Sequence, residues 1–352
     1  MSFQFRPALA LSVLAGLLAP GLSAQRPESF TLTGTRVAVY DLAGRVSVVP
    51  ATSGPVVVEL TRGGADGAKL ATAQDPIAGT ATFRVLYPAD RIVYRPKDGR
   101  YGNWRTEVDV RDDGTFDGDD RSGRRVRISG SGDGLEAWAD LTVRVPKGQR
   151  IAIHLAVGAV TAQNVDGDIT LDTGDGDITA SALAGRASLN SGSGDVRVTG
   201  AGELYIDTGS GDVRVSGVKG DALDIDTGSG AVTADAVAVD ALSVNTGSGD
   251  VQVTGLTART AKFDTGSGNV EAEYGAAPAD VDVDTGSGDV TLTMPAGFGG
   301  TVDFSTSGGD IRTDFPVTTH AREDGELHGT IGTGSGRIHV ETGSGDIALR
   351  QR

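Results

Sequence analysis

The chain has 352 residues, 47 acidic against 31 basic side chains and a net charge of −16. That balance excludes a nucleic-acid binder, which needs a basic face, and disfavours electrostatic attachment to anionic lipid headgroups. Cysteine is absent, glycine numbers 53 and aromatic residues make up only 5%, so neither disulfides nor a thick aromatic core can hold the fold.

Residues 1–24 read as a secretory signal peptide. Arg6 supplies the positive n-region, 9–18 is apolar, and Leu22, Ser23 and Ala24 form a small-residue cleavage site. The apolar run is shorter than the ~20 residues a membrane span needs, and no second one follows. The expectation is an exported protein of the periplasm, cell envelope or exterior, with no transmembrane segment after cleavage.

Residues 25–150 carry short β-like segments at 36–40, 45–49, 56–60, 81–86 and 141–145, punctuated by Gly, Pro and Asp. They predict a β-rich N-terminal cap region, because the end coil of a stacked structure is an open edge that needs covering. Within it, 91–127 is a charged insertion with Tyr94, Tyr101 and Trp104 and with Asp112, Asp113, Asp117, Asp119 and Asp120. The aspartate spacing fits no EF-hand loop. The segment reads as a solvated hairpin or loop, or as an insertion that contacts a ligand.

From 151 to 352 a repeat takes over. Thr-Gly-Ser-Gly recurs at 208–211, 227–230, 246–249, 265–268 and 285–288, with looser copies at 172–177, 190–195 and 305–310. Two more, at 333–337 and 342–346, close the chain. The period is about 19 residues, the mark of a stacked-coil β-solenoid. On either side of each turn, apolar residues alternate: Leu204, Ile206, Val213 and Val215 are expected to point inward, Asp224, Arg214 and Gln252 outward. The two glycines are expected to supply positive φ at the corner, and Thr, Ser and Asp to hydrogen-bond its backbone. The connections at the other edge vary in length. The longest, 315–329, holds His320 and His328.

This pattern resembles the bacterial putative-adhesin family of exported β-strand-repeat proteins, a domain of unknown function. The resemblance is carried by Leu-Thr-Val-Arg-Val-Pro-Lys-Gly at 141–148, Gly158-Ala159-Val160, Gly167-Asp168-Ile169, and each Thr-Gly-Ser-Gly-Asp-Val copy through to Ile347. It covers residue 30 to the C-terminus. It implies an all-β chain folded as a right-handed parallel β-solenoid on or outside the cell envelope, and it brings no binding residues with it. The last residues, Leu349 to Arg352, form no apolar tail, so the C-terminal anchor of surface-attached adhesins is not expected.

Asp-Thr-Gly-Ser is the active-site tetrapeptide of aspartic proteases, but that site needs two carboxylates sharing a proton in a cleft, whereas here the repeat explains every copy. Calcium could sit along a ladder of Asp177, Asp195, Asp212, Asp250 and Asp289, although the spacing departs from the Gly-Gly-x-Gly-x-Asp nonapeptide. A polysaccharide lyase or hydrolase needs a carboxylate pair with aromatic platforms, and both Trp104 and Trp138 precede the repeat. With no Cys and only His154, His320, His328 and His339, a zinc site is not expected. The sequence therefore points to a non-enzymatic binding, adhesion or scaffolding protein without catalytic residues or cofactors, Ca²⁺ apart. Its partner would be a cell-surface glycan or an envelope protein. The alternatives are a polysaccharide-active β-helix enzyme and a purely structural, cation-stabilised repeat.

Overall fold

Alternation decides which way each side chain faces. In Leu204–Thr208, Leu204, Ile206 and Thr208 are buried while Tyr205 and Asp207 face outward, and past the corner Val213 and Val215 turn inward again. The computed structural model describes residues 27–95, 104–116 and 122–352. Within them every regular element is a strand, apart from the 3-10 turn Gly67–Lys69. The expected signal at 1–24 lies outside the described residues, as do Tyr101, Asp117, Asp119 and Asp120.

The coils stack as two parallel ladders facing one core. In one ladder Val160, Ile178, Val196, Val213, Val232, Val251, Val270 and Val290 lie directly above one another, in steps of 18, 18, 17, 19, 19, 19 and 20 residues. The other runs Val39, Ile153, Leu171, Leu189, Ile206, Ile225, Val244, Phe263, Val283, Val340 and Phe304. Each of those eleven side chains is 3% exposed or less. Ten steps at the ~4.8 Å strand spacing give a stack about 48 Å long.

At the N-terminal end the ladder starts earlier than the sequence repeat. Arg36–Ala43 and Val46–Ala51 form the first coil and stack on Arg150–Val157 and Val160–Gln163. The segment 52–149 is spliced between the first coil and the second. Thr80–Leu86 and Trp138–Pro146 lie parallel on the outer side of the first coil. Ala71–Ile77, Val56–Gly63 and Glu28–Leu32 then pair antiparallel and close this end. The charged insertion forms a separate four-stranded sheet, in the order Leu135–Glu136, Arg91–Val93, Arg124–Ser129, Arg105–Val110.

At the C-terminal end the stack leaves chain order. Val290 pairs with Ile347, 57 residues on, and Ile347 pairs with Ile311. On the other ladder Val283 pairs with Val340, which pairs with Val302's neighbour Phe304. The last coil of the chain is thus inserted between the coil at 280–294 and the coil at 300–313. The 315–329 connection, expected as a loop, is largely the antiparallel pair Val317–Glu323 and Glu326–Ile331 laid over Gly300–Thr306.

Candidate functional site

The repeated corner was the first candidate, and its chemistry is consumed by the fold. Thr208, Thr227, Thr246, Thr265, Thr285 and Thr342 of the motif are buried, and four of them, Thr227, Thr265, Thr285 and Thr342, work in two directions. Thr285 Oγ1 accepts the N–H of its own Gly288 at 3.0 Å and donates to the Gly268 carbonyl of the preceding coil at 3.2 Å. Thr265 and Thr342 repeat the arrangement. The glycines are required for a different reason from the one expected. None of Gly211, Gly230, Gly249, Gly268 or Gly288 lies in the left-handed region. A Cβ on Gly249 would instead sit 1.9 Å from the Gly230 carbonyl oxygen, because the coils touch backbone to backbone at the corner.

The flanking aspartates form a staircase. Asp177 Oδ1 accepts the Asp195 N–H at 3.1 Å, Asp195 Oδ1 that of Asp212 at 3.2 Å, and Asp212 Oδ1 that of Ala231 at 3.1 Å. Asp250 holds the Asn269 N–H at 2.9 Å and Asp289 the Asp346 N–H at 2.8 Å. The second oxygens of Asp195 and Asp212 pair with Arg197 at 2.6 Å and Arg214 at 2.9 Å. Burial works to raise the Asp195 carboxyl, but Arg197 and the Asp212 N–H outweigh it and hold it below its ordinary range. Asp250 and Asp289 have no ion pair among the described residues. No group of three or more His, Cys, Asp or Glu side chains there is placed to hold a metal ion.

The opposite edge has an order of its own. Asn164, Ala182, Gly200, Gly217, Ala236 and Gly255 all take φ between 53° and 73°, one in each successive coil. The sequence hides this ladder because three residue types fill it. His328 lies on a strand, 2.7 Å from Asp303 through Nδ1, and His320 Nε2 is 2.9 Å from the Thr330 hydroxyl.

The insertion builds a cavity. Its sheet leans on the solenoid through the Tyr94 hydroxyl, which donates to the Gly44 carbonyl at 3.2 Å, and through Thr106, which donates to Asp175 at 3.1 Å. Tyr94 meets Trp104 and Trp138 edge-on, with ring centroids 6.4 and 5.9 Å away. Beside this cluster lies an open pocket of about 480 Å³ lined by Arg91, Trp104, Arg105, Arg127, Ser129, Ser131 and Asp133. Glu107 takes Arg127 at 3.1 Å and Arg105 at 3.7 Å. Arg91 has no ion pair among the described residues.

The family model for the Toastrack DUF4097 domain matches residues 134–350. The chain belongs to the Toastrack DUF4097 family. This agrees with the resemblance to putative-adhesin domains carried by 141–148 and the corner copies. The Toastrack match begins after the first coil, so Arg36–Ala51 extends the family's β-solenoid from outside the matched region. No curated protein matches the chain. A crystal structure of a putative cell adhesion protein from Clostridium sporogenes ATCC 15579 is similar over 93% of this chain and 100% of its own, at 10% identity and a TM-score of 0.21.

Proposed function

We propose that this Toastrack chain is a non-enzymatic binding protein of the cell surface, and that the sheet built from the insertion is its contact face. The observation that carries the reading is the open pocket of about 480 Å³ beside Trp104, with three arginines, two serines and Asp133 on its walls. Tryptophan and arginine supply most of the energy at binding surfaces, because each buries a large area while keeping a directional polar group. Outward-facing aromatic side chains are scarce elsewhere on the coils. The corner aspartates support a role without catalysis, since one oxygen each of Asp177, Asp195, Asp212, Asp250 and Asp289 is engaged in holding one coil to the next. A cell-surface glycan suits the mix of indole, guanidinium and hydroxyl.

The test is binding of the purified chain to whole cells and to a glycan array, beside Trp104→Ala. The expected result is a loss of binding of about tenfold or more, the usual effect of removing a central tryptophan, measured well below the melting temperature, which the lost packing on Tyr94 will lower. Equal binding by the variant would sink this reading.

A further inference from the structure

A second groove, of about 250 Å³, crosses the outer face of the Val39 ladder near its N-terminal end. Stacking sets its shape. The outward column there reads Ala38, Ala152, Thr170, Ser188 and then Tyr205, one residue per coil. Small side chains, Ala152, Thr170 and Ser188, make the floor, and Tyr205 follows as the next residue of the column. From Ala152 to Tyr205 is three coil steps, or roughly 14 Å.

The wall beside this floor carries three arginines, Arg36, Arg150 and Arg186, and one aspartate, Asp168, in a chain of net charge −16. Arg36 stands directly opposite Arg150, and Arg186 follows two coils further along. Arg150 is held by Asp168 at 3.1 Å and Arg186 by Glu203 at 3.0 Å. Arg36 has no acidic partner among the described residues; its other neighbour on the groove is Thr80. Like charges directly opposite in a sheet repel, and Asp168 offsets only the Arg150 side of this pair, which leaves Arg36 to be met by an anion. Two guanidinium groups side by side suit a planar carboxylate, which accepts paired N–H bonds from them.

We propose that this groove binds a carboxylate-bearing saccharide. The carboxylate lies on Arg36 and Arg150, and the ring lies over Ala152, Thr170 and Ser188. An acidic peptide fits less well. Extended peptides gain affinity by pairing with a free strand edge, whereas the backbone here is already paired on both sides. Recognition must come from side chains, and the hydroxyls and guanidinium groups match a sugar acid. The groove is separate from the Trp104 cavity, so it stands or falls independently of the contact face proposed above.

Calorimetric titration of the full chain with polygalacturonate, monomeric galacturonate, dextran and polyglutamate tests it. Polygalacturonate is expected to bind, and to weaken steeply as salt rises from about 50 to 500 mM. Binding of the monomer as well would assign the site to a free sugar acid, and binding of the polymer alone to a polysaccharide; either supports the groove. Arg36→Ser is expected to weaken binding by about tenfold or more without lowering the melting temperature, because Arg36 holds nothing else. Ser188→Phe, which fills the floor, should do the same, and Trp104→Ala should leave this binding unchanged. The proposal is overturned if neither uronate binds, if Arg36→Ser binds as the parent does, if dextran binds equally, or if polyglutamate binds as tightly.

Discussion

Among the described residues five buried side-chain polar atoms lack a hydrogen-bond partner, and those of Asp41 and Tyr274 lie deepest. Asp41 is 1% exposed, its Oδ1 accepts the Tyr87 hydroxyl at 2.7 Å, and its Oδ2 has no hydrogen-bond partner. Burial raises its carboxyl well above the ordinary 3.8; the Tyr87 hydroxyl and the Ala43 backbone oppose the rise, and the charge of Asp140 adds to it. The folded state therefore keeps a proton that the unfolded chain has lost, and stability falls as pH climbs from the ordinary aspartate range to the raised folded value. Asp41→Asn has no proton to lose. Its stability relative to the parent is expected to be smallest near pH 3.8 and to grow with pH, read from urea melts across pH. A constant difference would contradict the buried, protonated carboxyl. Tyr274 is fully buried, and its hydroxyl also lacks a partner. Tyr274→Phe removes an unsatisfied group at almost no cost in shape, so denaturant unfolding should show a gain of about 1 kcal/mol.

At the scale of the coil, the corner is a set of hydrogen bonds passed from one turn to the next. Every corner side chain from Asp177 to Asp212 accepts the N–H one coil on, and Asn269 does the same for Asp289 at 2.9 Å. Ala231 breaks the series, having no side-chain acceptor for the coil that follows. Ala231→Asn should restore the step to Asp250 and stabilise the chain by about 0.5–1 kcal/mol in equilibrium unfolding, the usual net worth of one such bond. No change would mean that the corner N–H groups are equally well served by water. The residue types of this corner were legible in the sequence, and so was its period. The reason for the glycines was not, because a clash with the next coil exists only once coils are stacked. The left-handed ladder from Asn164 to Gly255 was hidden for a related reason: Ala182 and Ala236 adopt, under tertiary constraint, a backbone that alanine seldom takes.

For the whole molecule, the order of stacking matters most. The final coil buries Ile338, Val340, Ile347 and Leu349 to 1% exposure or less, between two coils that precede it in the chain. The coil at 300–313 therefore rests on a partner made after it. Deleting 336–352 removes four buried side chains worth about 1.5–3 kcal/mol each and leaves the 300–313 coil without its ladder. Hydrogen exchange should show protection lost across 300–331 as well as at the new end, while 150–290 stays protected. Retained protection at 300–313 would mean that this coil can restack on 280–294 in chain order. The candidate sites belong to this scale too. The sequence marked the insertion through Trp104 and its charge. Nothing in it joined Arg36 to Arg150, which are neighbours only because 52–149 is spliced out of the ladder between them.

The sequence by itself determined the all-β solenoid, the inward and outward faces and the residue types of the corner. All three follow from local alternation and from a short repeat that each coil must satisfy alone. Tertiary structure decided where the stack begins, which coil follows which, and which charged side chains stand together. Parallel strands pair through backbone groups that every residue carries, so one coil's edge accepts another with little regard for distance along the chain. The hydrophobic columns at 36–51 and 336–351 match their neighbours well enough to be spliced in, and only the assembled core shows that they were.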